Sequence, residues 1–288
     1  MEHLILHATT RNHVSAFMAH PAHAVLLTGP HGIGKGSIAQ ALAGGALHIP
    51  LGKLASYPHY ALVVPDERGT ISIESIRNLA RFLQLKTIGT APLRRTIIIE
   101  HADALTTEAQ NAYLKLLEEP PADTLLIMTA SNVRALLPTI RSRVQTIALK
   151  APAEADLKAF FAGKDQATVN QAYFLSGGLP GLMHALLDGD TSHPLLASVT
   201  RAKELLQQPL FERLCAVDSL SKQKTDAHYT VEALLRIAQA GLAAATTRRD
   251  TAKIAQWHRI RKLALATDEA LARSVNTKLT LTNLLLHL

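Results

Sequence analysis

The chain has 288 residues, of which 48% are hydrophobic, and this is enough to bury a sizeable core in roughly two or three domains. Only 4% of the residues are aromatic, and the abundance of alanine and leucine favours helices packed on each other or on a parallel sheet over an all-β fold. The formal net charge of +7 is compatible with a nucleic-acid or acidic partner, but many cytosolic proteins carry the same balance.

The sequence has no features of secretion or membrane insertion. Its N-terminal segment lacks a basic region followed by a long apolar run, and no stretch reaches the roughly 18 apolar residues of a membrane span. Cys215 is the one cysteine, so a disulfide framework and a cysteine zinc site within one chain are excluded. The apolar neighbours of Cys215 predict that its thiol packs in the interior. We expect a cytoplasmic protein without a membrane partner.

Short apolar runs alternate with helical patterns over the first half of the chain. This alternation is typical of a parallel sheet with helices on both faces. Ser72 is placed to cap one helix, and Thr107 with Gln110 matches a capping box at the start of the next. Strands are predicted at residues 25–28, 61–64, 96–99, 125–128 and 146–149, and helices at 37–46, 72–85 and from 107 to the prolines at 120 and 121.

Strand patterns end near residue 150, and helical patterns continue to the C-terminus. Ser192, His193 and Pro194 are typical of a linker. Helices are predicted at residues 153–162, 165–175 and 181–187, followed by a helical block from about residue 194. The chain is therefore predicted to comprise an α/β domain over 1–150, a small helical lid over 151–193, and an all-α domain over 194–288.

A glycine-rich loop follows the first predicted strand and leads into the next helix. It contains Gly29, Gly32, Gly34 and Lys35, with the spacing Gly-x-x-x-x-Gly-Lys. Glycines let backbone N–H groups wrap around phosphate oxygens, the following helix adds its dipole, and the lysine reaches the outer phosphates. The strand–loop–helix context indicates a P-loop fold.

The residue after this lysine departs from the motif. A Ser or Thr hydroxyl normally binds Mg²⁺ there, whereas this chain has Gly36, with Ser37 one position later. Because a helix turns about 100° per residue, Ser37 is expected to point elsewhere. Two interpretations stay open: a site that binds nucleotide but holds Mg²⁺ poorly, and a loop that only connects strand to helix.

The strand at residues 96–99 ends in Glu100 and His101, where a working P-loop ATPase of this class has Asp and Glu. Glu100 is a candidate contact for Mg²⁺, although its longer arm shifts the carboxylate. His101 replaces the carboxylate that orients the attacking water, and an imidazole is a poor substitute for it. Asp103 is expected to cap or pair locally.

Two segments resemble those of the clamp-loader subunits of bacterial DNA polymerase III. They are TEAQNAYLKLLEEPP at residues 107–121 and LPTIRSRV at residues 137–144. The matches keep the family's order over about residues 20–150, while residues 176–181 and 276–279 match more loosely. The resemblance implies an AAA+ domain, a helical lid, and a C-terminal collar that holds five subunits in a ring.

The resemblance also implies roles for particular residues. Arg143 matches the arginine finger of the family's Ser-Arg-Cys motif, which acts in the ATP site of the neighbouring subunit; an ordinary surface arginine is the alternative. Ser142 fits this motif, and Val144 replaces its cysteine. Ser131 falls at the sensor-1 position near the γ-phosphate, and Leu182 falls where the lid normally carries the sensor-2 arginine.

Three departures weaken the chain's own ATP site: Gly36, the Glu100–His101 pair and Leu182. Arg143, by contrast, would act in the ATP site of a neighbouring subunit. This combination is typical of the delta-prime subunits of the family, which act as stators and finger donors. We therefore expect the chain's own ATPase activity to be weak or absent. The candidate cofactors are ATP or ADP, with Mg²⁺ only where a nucleotide binds.

Zinc is not expected, because the four zinc-binding cysteines of family members are missing between residues 46 and 60. The C-terminal part carries basic residues that suit either a solvated helix face or a contact with DNA phosphates or an acidic partner. These residues are Arg248, Arg249, Lys253, Arg259, Arg261 and Lys262.

The resemblance implies a stator in a hetero-pentamer with gamma/tau and delta subunits, which together load a sliding clamp on primer-template DNA. Two alternatives remain. One is an active motor subunit of the gamma/tau type, which intrinsic ATP turnover would reveal. The other is a P-loop adaptor outside replication, which failure to associate with clamp-loader subunits would favour.

Overall fold

The computed structural model describes residues 4–87, 89–189, 194–222, 224–272 and 276–288. The chain divides into two compact units, Met1–Pro152 and Ala153–Leu288. Ser192 and His193 of the predicted linker lie outside the described residues. The division of the second unit into a lid and a collar therefore stays a prediction.

A five-stranded parallel sheet forms the centre of the first unit, with strand order β2-β3-β4-β1-β5. The predicted α/β fold class is confirmed. Each predicted strand is present to within one or two residues at its ends. The strands are β1 (Ala24–Thr28), β2 (Tyr60–Val63), β3 (Arg95–Ile99), β4 (Thr124–Ala130) and β5 (Gln145–Ala148).

Helices cover both faces of this sheet. Every residue of β1, β3 and β4 is buried, as expected for central parallel strands that are apolar on both faces. One face packs against α4 and α5, while α2 contacts β1, β3 and β4. The helices are α1 (Ala8–Ala19), α2 (Lys35–Leu47), α3 (Leu51–Leu54), α4 (Ile73–Leu83), α5 (Thr107–Glu118) and α6 (Pro138–Arg141).

The helix starts follow local side-chain chemistry. The Ser72 hydroxyl accepts a hydrogen bond from the backbone N–H of Ser75 and caps α4, as predicted. The predicted capping box of Thr107 with Gln110 is wrong, because Thr106 is the N-cap of α5 and accepts from the N–H of Ala109. The Gln110 side chain is buried instead and hydrogen-bonds to loop backbone groups.

The second unit is helical throughout its described residues, as the sequence predicted. The prediction that Cys215 is an interior residue is wrong, because its side chain is exposed on α11. No helix in the described ranges is long and apolar enough to span a bilayer. The helices are α7 (Glu154–Phe160), α8 (Gln166–Ser176), α9 (Pro180–Asp188), α10 (Pro194–Gln207), α11 (Leu210–Ser221), α12 (Lys224–Thr247), α13 (Thr251–Ala272) and α14 (Thr277–His287).

Candidate nucleotide site and exposed arginine

Three loops meet at the carboxyl edge of the sheet. Strand β4 lies between β1 and β3, so the segments that follow these three parallel strands are neighbours in space. They are the glycine-rich loop after β1, Glu100 and His101 after β3, and Ser131 after β4. Open α/β sheets bind ligands at this edge. The topology thus brings most of the sequence-predicted site residues together.

The glycine-rich loop has the backbone that its glycines allow. Gly32 and Gly34 have φ angles of 81° and 93°, in a region that side chains rarely permit. Gly34 is the N-cap of α2, and the helix begins at Lys35. A Cβ built on Gly29 would lie 3.3 Å from the carbonyl oxygen of Leu149, so the segment after β5 leaves little room for a side chain here.

Lys35 ties this loop to the end of β4. Its side chain is only 7% exposed. Its Nζ donates to the carbonyl oxygens of Gly29 at 2.7 Å and Pro30 at 2.9 Å, and to the Ser131 hydroxyl at 2.8 Å. The predicted phosphate-binding lysine and the predicted sensor serine are therefore in direct contact. A phosphate oxygen that bound to this ammonium would have to replace at least one of these acceptors.

Glu100 packs directly over Gly36. A Cβ atom built on Gly36 would lie 2.7 Å from Glu100 Oε1, well inside normal contact distance. The carboxylate therefore fills space that the Ser or Thr side chain of a standard P-loop would need. Ser37, one position later, is exposed. Glu100 also affects Tyr60 on β2, whose pKa is raised by burial and, to a lesser extent, by this negative charge.

His101 lies where a water-orienting carboxylate would be expected, and it stacks on His31 of the glycine-rich loop. The two ring centroids are 5.5 Å apart, with 19° between the planes. His101 has a φ of 52°, a left-handed conformation that is uncommon for non-glycine residues. Its backbone N–H donates to the Thr129 hydroxyl at 3.0 Å. This contact between two imidazoles, 70 positions apart in the sequence, was not predicted from the sequence.

Asp103 pairs with the loop after β4, and not locally as the sequence suggested. Its Oδ2 accepts from the backbone N–H groups of Ser131 at 3.1 Å and Asn132 at 2.8 Å. Because β3 and β4 are adjacent and parallel, an acidic residue just beyond β3 can reach this loop. Asp103 therefore fixes the backbone of the serine that contacts Lys35.

Arg143 lies in the first unit, between α6 and β5, and its side chain is 38% exposed. Its Nη2 forms an ion pair with Glu118 Oε1 at 2.8 Å, and its Nη1 donates to the carbonyl of Thr139 at 3.0 Å. The next residue, Val144, is buried in the core beside the sheet. The backbone of this segment is thus anchored by an apolar side chain, while the guanidinium stays at the surface.

Leu182, the residue at the predicted sensor-2 position, is on α9 in the second unit and is fully buried. An aliphatic side chain offers no group that could bind phosphate. No cluster of three or more His, Cys, Asp or Glu side chains suited to a metal ion occurs in the described parts of the chain. Mg²⁺ would need the oxygen atoms of a bound nucleotide in addition to Glu100.

Comparison with known proteins finds relatives of this chain. A family model described as DNA polymerase III, delta subunit matches residues 53–153. The chain is 31% identical over 213 residues to the DNA polymerase III subunit delta' of Pseudomonas aeruginosa, a match covering 67% of this chain and 64% of that protein. It is 31% identical over 140 residues to the corresponding Escherichia coli subunit, covering 47% of this chain and 41% of that protein.

A solved structure supports the fold over nearly the whole chain. The DNA polymerase III gamma subunit-related protein of Thermotoga maritima superposes with a TM-score of 0.57 at 18% identity, covering 96% of this chain and 97% of that chain. The chain spans less than two thirds of the length of the two curated relatives described above. The sequence matches show that this chain is similar to bacterial DNA polymerase III delta-prime subunits over about two thirds of its length.

Proposed function

We propose that this chain is a stator subunit of a bacterial clamp loader. It assembles with ATPase subunits of the gamma/tau type and with a delta subunit. The assembly loads a sliding clamp on primer-template DNA. Within it, this chain contributes Arg143 to the ATP site of a neighbouring subunit and hydrolyses little or no ATP in its own site.

The contact between Gly36 and Glu100 carries this proposal. A standard P-loop presents a hydroxyl to Mg²⁺ at the position after the lysine. Here the residue has no side chain, and a carboxylate oxygen lies 2.7 Å from where its Cβ would be. Both the residue after the lysine and the acidic residue at the end of β3 therefore differ from the standard arrangement at the place where Mg²⁺ would bind.

The stacked histidines support the same conclusion. General-base catalysis requires a group that can take up or polarise a proton at the attacking water. The ring of His101 stacks on His31, and its backbone N–H donates to the Thr129 hydroxyl. A carboxylate is absent at this position, so the water-orienting step of ATP hydrolysis lacks its usual group.

Arg143 supports the in-trans half of the proposal. An arginine finger must be exposed enough to enter another subunit, and its guanidinium must stay charged, as arginine does at any ordinary pH. The side chain meets the first condition, and two contacts hold it in one arrangement. An arginine finger stabilises the charge that develops on the transferred phosphoryl group.

The test is DNA- and clamp-stimulated ATP hydrolysis by the reconstituted assembly. Arg143→Ala should lower ATP hydrolysis at the one site that this arginine serves by roughly 10³-fold or more. The total rate of the assembly should therefore fall by at least the fraction that this site contributes. The complex should still form. Arg141→Ala is the matched control, because this arginine is exposed two residues earlier on the same segment. An unchanged rate for Arg143→Ala in an intact complex would refute the finger role.

A motor subunit of the gamma/tau type is the competing function. Lys35 and Ser131 favour it, because both are present and in contact at the expected place. Purified chain that hydrolyses ATP at the rate of a motor subunit, with the activity lost in Lys35→Ala, would establish the motor and refute the stator. Lack of binding to any clamp-loader subunit would instead favour an adaptor outside replication.

A further inference from the structure

Glu118, which forms the ion pair with Arg143, is in an unusual place for an acidic residue. It is the last residue of α5, and carboxylates at the C-terminal end of a helix are disfavoured by the helix dipole. Half of its side chain is exposed, so burial of apolar atoms does not explain its position. Its defined contact is with the guanidinium, 2.8 Å away.

The guanidinium is held from two sides. Glu118 binds Nη2, and the Thr139 carbonyl, within the short helix α6, accepts from Nη1. Both acceptors lie on helices, α5 and α6, that contact each other. An arginine on a flexible segment would sample many rotamers, and ordering such a long side chain on binding carries a substantial entropic cost. Two contacts on rigid elements reduce that cost before a partner arrives.

We propose that Glu118 is a positioning residue for the arginine finger. This role of Glu118 rests on the proposed function and extends it to a second residue. Glu118 fixes the rotamer of Arg143, so that the guanidinium is presented in one orientation to an anionic phosphate on the neighbouring subunit. The carboxylate does not itself contact the nucleotide. An exposed ion pair contributes little to folding, so this role is separable from stability.

The experiment uses the assembly described above and measures the finger-dependent rate, defined as the difference in kcat between the wild-type and Arg143→Ala assemblies. Glu118→Ala should reduce this component roughly five- to tenfold, the size expected when one long side chain must be ordered during the reaction. KM for ATP should change little, because the neighbouring subunit binds the nucleotide. The unfolding midpoint of the isolated chain should stay the same.

Three further variants separate positioning from other effects. Glu119→Ala removes the same charge from the adjacent exposed residue and should leave the finger-dependent rate unchanged. Glu118→Gln keeps an acceptor oxygen for Arg143 and should retain more of the rate than Glu118→Ala. The double variant Arg143→Ala/Glu118→Ala should be no slower than Arg143→Ala alone, because Glu118 acts through the arginine.

Each other outcome contradicts the inference. If Arg143→Ala has an effect and Glu118→Ala has none, the finger stands and the positioning role fails. If Glu118→Ala raises the rate, the carboxylate competes with the phosphate and the role is reversed. If Arg143→Ala itself has no effect, the proposed function fails and the role of Glu118 fails with it.

Discussion

Gly241→Ala tests the packing of the helical unit directly. Gly241 lies in the interior of α12, a helix of 24 residues, where glycine is less favourable than alanine by about 1 kcal/mol. Packing explains why it is there. A Cβ built on Gly241 would lie 2.3 Å, 2.5 Å and 2.7 Å from three atoms of the Trp257 indole on α13.

The magnitude follows from these distances. Carbon atoms in contact are about 3.5 Å apart, so the nearest atom of the rigid indole would have to move by about 1.2 Å. Overpacking of this kind costs about 1–3 kcal/mol, and the gain in helix propensity offsets about 1 kcal/mol of it. Because the overlap with the rigid ring is large, the overpacking cost should lie in the upper part of this range, about 2–3 kcal/mol, so we expect Gly241→Ala to lower the free energy of unfolding of the second unit by about 1–2 kcal/mol.

Trp257 also provides the assay, because it is the one tryptophan of the chain and its fluorescence reports on the helical unit. Urea unfolding should give an earlier midpoint for Gly241→Ala and a changed emission maximum. Gly163→Ala is the matched control in the same unit, because a Cβ there meets no atom within 4 Å and its φ is not left-handed. That variant should be neutral or slightly stabilising. An unchanged or later midpoint for Gly241→Ala would refute the packing argument.

Two further predictions concern the first unit. Gly36→Ala should stabilise the first unit by about 1 kcal/mol in a Glu100→Ala background, because alanine favours helix. With Glu100 present, the gain should be smaller by about 0.5 kcal/mol, the cost of moving the flexible end of that side chain; equal effects in both backgrounds, measured by urea unfolding and circular dichroism, would contradict the contact. Burial by itself would raise the pKa of Asp123, but hydrogen bonds from Thr87, Arg94 and Thr124 together with the positive charge of Arg95 lower it below its ordinary value. Asp123 therefore contributes stability that is fully present above its unfolded pKa of about 3.9 and is lost as the pH falls through its lower folded pKa. The gap of about 1–3 kcal/mol to Asp123→Asn should narrow as the pH is lowered from 7 into the acid range; a gap that does not narrow would contradict this assignment.

The main elements of the fold could be predicted from local patterns. Buried parallel strands are short apolar runs, and each of these runs in the first half became a strand. Errors arose where several residues could satisfy the same local requirement. Thr106 and Thr107 are both able to cap α5, and the choice depends on how the preceding turn enters the helix. Cys215 has apolar neighbours in sequence, but on a helix those neighbours point in different directions.

The candidate site was predictable in its parts but not in its contacts. The spacing from Gly29 to Lys35 identified the glycine-rich loop, and the missing hydroxyl at Gly36 was visible in the sequence. The packing of Glu100 on Gly36 was not visible in the sequence, because the long glutamate side chain can adopt several rotamers. The direction that it takes depends on α2 and β3 being neighbours in the fold.

The sequence by itself determined the strand–loop–helix motif, the helical second half, and the arginine at position 143, because each of these depends on residues close together in the chain. The tertiary structure alone decided the pairing of His31 with His101 and of Arg143 with Glu118. These partners come from segments that are far apart in sequence. The strand order and the packing of helices bring them together, and neither is encoded in any single local pattern.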